Sequence, residues 1–279
     1  QKGVREFIVE KSAWNGPLME KANTWQNTSI WVVNNSIDTL QHIAQLHRIA
    51  YGIPVVGITG SNGKTTCKEW LFTLTKAHFQ VVRSPKSFNS QIGVPLSIWG
   101  IRSQHRLGIF EAGISRINEM DRLEPIIRPE FGILTNIGEA HGRNFESESE
   151  KLVEKLKLFR HSKKLIYRAT SNTSPIVSEA MQKINPDCEL ISWSTQDPNQ
   201  SIYVYWKITG KSSQIKFQKR NPDVCVPEDQ KSKMRQTPWG EITYLEYKWK
   251  TEFGEKEYDE IDSNANGTTS EVGQPTKKT

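Results

Sequence analysis

The sequence predicts an α/β fold: a mostly parallel sheet flanked by helices, with a small antiparallel β portion further along. Three observations predict it. The β-branched run Val55-Val56-Gly57-Ile58 reads as a buried strand and leads through a glycine-rich turn into a helix. Two more apolar runs, Leu107–Phe110 and Phe131–Ile137, have the same character, and each ends in polar residues, where open α/β sheets bind ligands. After about Pro198 the runs Ile202–Trp206, Gln214–Phe217 and Glu241–Tyr247 alternate as antiparallel strands do.

The turn after the first strand carries the chemistry. Gly57, Gly60 and Gly63 are spaced by three, and Lys64, Thr65 and Thr66 follow. A strand, a glycine-rich turn and a helix N-terminus make an anion cradle, because backbone N–H groups and the helix dipole both favour negative charge there. In this P-loop reading Lys64 neutralises the β- and γ-phosphates of a nucleotide, and the Thr65 hydroxyl meets Mg²⁺. The strict spacing of four residues before the Gly-Lys pair is not met, since Gly57 has five and Gly60 has two. The order strand, turn, G-K-T-T, helix sets this stretch apart from an ordinary glycine-rich turn.

The 279 residues suffice for one large or two ordinary domains. The mean hydropathy of −0.60 describes a polar, soluble chain, and no run reaches the length of a membrane span. Cys67, Cys188 and Cys225 lie far apart, without metal-ligand spacing or a disulfide framework, which suits a reducing cytoplasm. The net charge of +6 is spread along the chain, so nucleic acid is not the expected partner, while anionic small substrates are.

Residues 1–34 hold two short strand-like runs, Phe7–Val9 and Ile30–Val33, too few for a core, and read as the tail of a domain that begins upstream. Ser36–Ala50 reads as a helix with Leu40, Ile43, Ala44, His47 and Ala50 on one face. His47 is expected to be a half-buried packing residue rather than a ligand. Thr65–Phe79 reads as a second amphipathic helix with Trp70, Leu71, Leu74, Ala77 and His78 inward, and Val81-Val82 as a short strand. Asn89, Ser90 and Gln91 either line a cleft or serve as turn and capping residues. Glu111 stands at the end of its apolar strand and is a candidate Mg²⁺ ligand; His141 follows the next strand. Taken singly, each is more often a loop residue. Glu148–Arg160 is a strong helix with Leu152, Leu156 and Phe159 buried, and Lys151, Lys155 and Lys157 are expected on its solvated side. Ile166 and Glu189–Trp193 suggest strands around a helix at Pro175–Ile184. From Asp262 there is almost nothing to bury, and the tail reads as disordered.

The stretches G-I-T-G-S-N-G-K-T-T, S-P-K-S-F-N-S-Q-I-G-V-P-L-S-I, F-E-A-G-I-S and T-N-I-G-E-A-H-G-R-N-F-E-S stand in the order found in the Mur ligases, the ADP-forming amide ligases of peptidoglycan synthesis. In detail the chain resembles the branch that joins D-alanyl-D-alanine to UDP-N-acetylmuramoyl-tripeptide, in the form fused to an alanine racemase in Bacteroidetes-like bacteria. The resemblance is strong from about Phe7 to Trp193 and weak to about Tyr258. It implies that Thr59, Gly60, Ser61, Asn62, Gly63, Lys64, Thr65 and Thr66 hold the ATP phosphates, with Lys64 on the γ-phosphate. It further implies that Glu111 and His141 bind Mg²⁺ beside Thr65, that Ser84 helps bind a second Mg²⁺, and that Asn89 and Ser90 lie near substrate. Lys155 matches the family lysine that CO₂ converts to a carbamate, turning an ammonium that repels Mg²⁺ into an oxygen ligand. The implied catalytic set is Lys64, Lys155 and His141.

Against the family pattern, residues 1–34 match only the last part of the UDP-sugar-binding domain, 35–258 correspond to the central ATP-binding domain, and 259–279 form the tail. No C-terminal domain, racemase portion or P-F-x-D segment is matched, and Asn118 stands where a Gly-Glu pair has its Gly. A ligase whose missing parts are unnecessary or supplied elsewhere, and a non-catalytic Mg-ATP-binding remnant, are the two readings carried forward. A folylpolyglutamate or cyanophycin synthetase is disfavoured by S-F-N-S-Q-I-G-V-P-L and N-I-G-E-A-H, and a nucleic-acid ATPase by the lack of a basic stripe.

Overall fold

The computed structural model describes residues 3–138, 144–197, 199–209 and 212–219, with side chains up to residue 204. The proposed strand Glu241–Tyr247, the tail from Asp262 and His141 lie outside the described residues.

The chain opens with β1 (Glu6–Glu10), α1 (Gly16–Ala22) and β2 (Ser29–Val33). The two strands pair in parallel, Phe7 opposite Ile30, in a sheet separate from the main one. The Glu10 carboxylate accepts from the backbone N–H and the hydroxyl of Ser36, at 2.9 and 2.8 Å, and so fastens this unit to the first turn of α2 (Ser36–Tyr51). The helix α2 starts at Asn35, whose side chain accepts from Asp38 N, and stops at Gly52 in a left-handed conformation. His47 is half-buried, stacked on Trp99 and beside Tyr51, as a packing residue should be.

The main sheet is built from β3 (Val55–Thr59), β4 (Val81–Arg83), β5 (Leu107–Glu111), β6 (Phe131–Leu134), β7 (Lys164–Arg168), β8 (Glu189–Ser194), β9 (Ile202–Thr209) and β10 (Ser212–Lys219). Among the described residues the order is β10-β9-β8-β7-β6-β3-β5-β4. All neighbours are parallel except β9 and β10, an antiparallel pair that extends the same sheet. Successive residues of β3 serve opposite faces, as strand geometry requires. Val56 and Ile58 pack with Ile109 against Cys67, Leu71 and Phe72 of α3 (Lys64–Thr75). On the other face Val55 and Phe110 join the larger core. Its helical residues come from α2, α4 (Gly93–Ile98), α5 (Glu119–Ile127), α6 (Glu148–Leu156) and α7 (Thr173–Ile184).

Two expectations about helix faces fail. In α3 the proposed inner face holds only in part: Leu71 packs on the sheet, but Trp70 is 61% exposed and Leu74 is exposed too, while Lys68 is fully buried. The helix also ends at Thr75, short of Ala77 and His78. In α6, Lys151 and Lys155 are buried at 4% and 2% exposure rather than solvated. In both cases the lysines reach internal carbonyl or carboxylate oxygens, a compensation that hydrophobic periodicity cannot see. Helix α5, not expected from the sequence, begins at Asn118 with φ +66°, a left-handed position that asparagine tolerates and glycine fills freely.

Candidate functional site: the phosphate loop and its clamps

The register of the sheet sets the site. Ile58 lies opposite Glu111 on one side, and Thr59 lies opposite Leu134 on the other. The carboxyl ends of β3, β5 and β6 therefore open side by side. Residues 60–63 leave β3 as the loop, and Gly63, left-handed at φ +78°, turns it into α3. The first N–H groups of a helix have no intrahelical acceptor, so the first turn of α3 presents donors to whatever lies on the loop. Gly57 is not part of this cradle. It sits inside β3, where a Cβ would come 2.8 Å from Pro129 Cβ, so it permits close packing rather than phosphate approach. Gly60 is the tight point: φ is +146°, and a Cβ would fall 2.0 Å from Thr135 Oγ1.

The segment after β6 clamps the loop. Asn136 accepts from Ser61 N through its backbone oxygen at 2.7 Å and from Asn62 N through its side-chain oxygen at 2.8 Å. Thr135 Oγ1 donates to Asn62 O at 2.7 Å, and the Ser61 hydroxyl exchanges hydrogen bonds with Gly138. Thr59 donates its hydroxyl to Ala112 O at 2.9 Å, tying β3 to the end of β5. The apolar run from Phe131 predicts a strand that takes in Thr135 and Asn136; in the structure it stops at Leu134.

Cations gather around the loop. Lys64 Nζ donates back to Gly60 O at 2.8 Å and Ser61 O at 3.1 Å. Lys155 Nζ donates to the same Gly60 carbonyl at 3.1 Å, and Lys151 Nζ to Gly138 O at 3.1 Å. Burial holds Lys64 below the ordinary lysine range, with Glu111 opposing and Lys151 reinforcing the shift. Burial, then Lys64, then Lys151 push Lys155 down to about 7. A low-dielectric site with several like charges favours losing one proton.

Glu111 is fully buried at the end of β5. Thr65 Oγ1 donates to its Oε2 at 3.0 Å, and Lys68 Nζ meets its Oε1 at 3.3 Å. Ser84 is buried beside it and accepts from Glu111 N at 3.3 Å. Asn89 O accepts from Gly113 N at 2.8 Å, and its side chain lies against Gly113. Ser90 turns out to be a capping residue: its Oγ accepts from Gly93 N at 3.1 Å and starts α4. Gln91 is a brace, accepting from Gln41 Nε2 and donating to Glu119 O. Thus Thr65 and Ser84 meet Glu111, Asn89 lies against Gly113 two residues further on, Lys155 reaches the loop at Gly60, and Ser90 and Gln91 make structural contacts. Beyond the clamp a cavity of about 350 Å³ opens past β6 and β7, lined among others by Thr135, Asn136, Arg168, Thr170 and Asn172.

The Glu111 carboxylate and Thr65 hydroxyl are hard oxygen donors of the kind Mg²⁺ takes. No cluster of three or more His, Cys, Asp or Glu is gathered among the described residues.

Fold and site define a phosphate-loop α/β domain with an acidic residue on the adjacent strand. Residues 58–243 match the Mur ligase middle domain, and the chain belongs to the Mur ligase family. It is 32% identical over 183 residues to the UDP-N-acetylmuramoyl-tripeptide–D-alanyl-D-alanine ligase of Borreliella burgdorferi, covering 65% of this chain and 39% of that protein. The ligases of the same name from Bacillus subtilis and Rickettsia prowazekii are 29% and 27% identical; the matches cover 60% and 78% of this chain and 35% and 50% of those proteins. The chain therefore spans half or less of the length of these relatives. Among solved structures, the MurF ligase from Thermotoga maritima in complex with ADP superposes with a TM-score of 0.61 at 24% identity, over 78% of this chain and 54% of that one. MurF from Acinetobacter baumannii superposes at 0.60 and 21%, over 69% and 42%. These two share the fold.

Proposed function

We propose that the chain is the ATP-binding part of an ADP-forming amide ligase that joins D-alanyl-D-alanine to UDP-N-acetylmuramoyl-tripeptide in the cytoplasm. The observation that carries the reading is the convergence of Lys64, Thr65 and Glu111 at the adjoining ends of β3 and β5. The named relatives supply the substrates. In the same reading residues 1–34 belong to the end of the UDP-sugar-binding portion and 35–258 to the ATP-binding domain, with 259–279 as a tail. No described helix is long and apolar enough to cross a membrane.

In this reading residues Thr59 to Thr66 cradle the phosphates, and Lys64 and Lys151 neutralise charge around them. Glu111, Thr65 and His141 would hold Mg²⁺ and Ser84 would help hold a second; the ions would neutralise charge on the phosphoryl oxygens. Lys155, largely neutral just above pH 7, is suited to add to CO₂, forming an N–C bond and releasing a proton to leave a carbamate. The tripeptide carboxylate takes the γ-phosphoryl group of ATP and ADP leaves. The amine of D-alanyl-D-alanine then displaces phosphate from the acyl carbon and loses a proton. Phosphoryl transfer of this kind depends on positioning and charge neutralisation, which the loop, the clamps and the lysines provide. Asn89, held against Gly113, is the residue this reading assigns to the substrate side.

The test is phosphate release with Mg-ATP, UDP-N-acetylmuramoyl-tripeptide and D-alanyl-D-alanine, each omitted in turn. Release that needs all three supports the ligase. Nucleotide binding without release reduces the reading to a Mg-ATP-binding remnant, and absence of nucleotide binding removes it.

A further inference from the structure

Lys68 has no part in the function proposed above, yet it is fully buried among polar partners. It lies one helical turn past Lys64 and Thr65 on α3. Its ammonium meets Glu111 Oε1 at 3.3 Å, Glu69 Oε1 at 3.4 Å, and the carbonyl of Lys86. Both Lys68 and Glu111 have side chains with no solvent exposure. The other Glu111 oxygen, Oε2, is the one that Thr65 approaches most closely.

The Lys86 carbonyl belongs to the turn that joins β4 to α4. Lys86 itself is left-handed, at φ +49°, a conformation that side chains other than glycine rarely adopt. The same turn is fastened at both ends to β5 and the residues after it. Ser84 N donates to Ile109 O, Ser84 Oγ accepts from Glu111 N, and Asn89 O accepts from Gly113 N. Lys68 closes the middle of this turn onto the Glu111 side chain. Packing alone would be served by an apolar residue of similar length, because desolvating an ion pair often costs more than the pair returns. A buried charge retained with three oxygens around it is better explained by orientation.

We propose that Lys68 is a positioning residue that holds Glu111 with Oε2 turned to Thr65 and latches the Ser84–Asn89 turn to it. One ammonium thereby sets the carboxylate beside the phosphate loop and the turn carrying Asn89 together. The ammonium repels any cation at the same carboxylate, so the latch must favour metal binding by orientation more than it opposes it by charge. The metal side of the inference rests on the reading of Glu111 as a Mg²⁺ ligand; the latch itself does not.

Two measurements on Lys68→Met and Lys68→Gln test it. Hydrogen exchange of the ligand-free chain should show residues 84–89 and 111–113 exchanging at least tenfold faster in the variants, with α2 and α5 unchanged. Unchanged exchange there overturns the latch, as does global unfolding of both variants, which makes Lys68 a core residue only. Titration of Mg²⁺ at fixed ATP should move the midpoint up at least tenfold, with metal-free ATP binding unaltered. A midpoint that stays or falls overturns the orientation of Glu111. A wild-type chain that binds no nucleotide would sink the ligase reading, while exchange would still decide the latch.

Discussion

The ammonium of Lys155 donates to the carbonyl of Gly60 at 3.1 Å, and this one bond ties α6 to a loop 95 residues earlier in the chain. The bond places a third cation beside a loop that Lys64 and Lys151 already surround. Stability should therefore depend on pH in a defined window. Lys155 falls from 10.5 in the free side chain to about 7 in the fold. Between those values the unfolded chain holds a proton that the folded chain lacks, so stability rises with pH from about 7 to about 10.5, by at most about 1.4 kcal/mol per pH unit. Below pH 7 the penalty is complete. Urea unfolding across this range should show that slope in the wild type and a flatter line in Lys155→Met.

Lys64→Ala removes the ammonium proposed to neutralise the phosphates and should leave the fold standing, because Lys64 is only half-buried. Loss of a charged contact of this kind is worth on the order of 3 kcal/mol, about a hundredfold in affinity. Calorimetric titration with ATP should show it. Unchanged affinity would mean that the loop does not hold phosphate.

The two loop glycines should respond differently to a methyl group. At Gly63 there is open space and only the left-handed backbone opposes alanine, a cost of about 1 kcal/mol. At Gly60 the methyl would also strike Thr135 Oγ1 and crowd Asn136 O, which lies 3.0 Å away. Gly60→Ala should therefore cost about 2–3 kcal/mol more than Gly63→Ala and loosen the clamp. Paired denaturation curves decide it; equal losses would show that the clamp yields.

Glu111→Gln keeps the shape of the side chain and removes its charge. It should abolish the Mg²⁺ dependence of ATP binding and leave the Lys68 ammonium buried without its main counter-charge. Breaking a buried pair on one side typically costs about 3–5 kcal/mol. Midpoints of urea unfolding and Mg²⁺ titrations of the same sample read both effects.

The central strand, the loop, α3 and the polar ends of β5 and β6 were legible because apolar runs, glycines and a Gly-Lys-Thr sequence are local signals. So was Glu111, whose position follows from the end of its strand. What escaped was the set of contacts made across the sheet. Asn136 looks like part of a strand until its two oxygens are seen accepting from Ser61 N and Asn62 N. Lys68, Lys151 and Lys155 carry the mark of solvated residues, and only their distant oxygens explain their burial. The spacing of Ser90 fits cleft and cap alike; its Oγ accepts from Gly93 N, a capping contact that no local pattern specifies. Helix α5 went unseen because its left-handed start at Asn118 and an internal Pro125 blur the usual boundaries.

The clamp on the phosphate loop has a consequence for how the chain acquires its shape. Asn62 is held by a residue 74 positions downstream, and β3 completes its ladder only when β6 arrives on its far side. Pairings this distant in sequence must overcome loop-closure entropy first, which slows folding. A ribosome-bound chain ending before Asn136 carries the whole glycine-rich stretch but lacks the residue that holds it in shape. During synthesis the loop thus emerges well before the residue that fixes its shape.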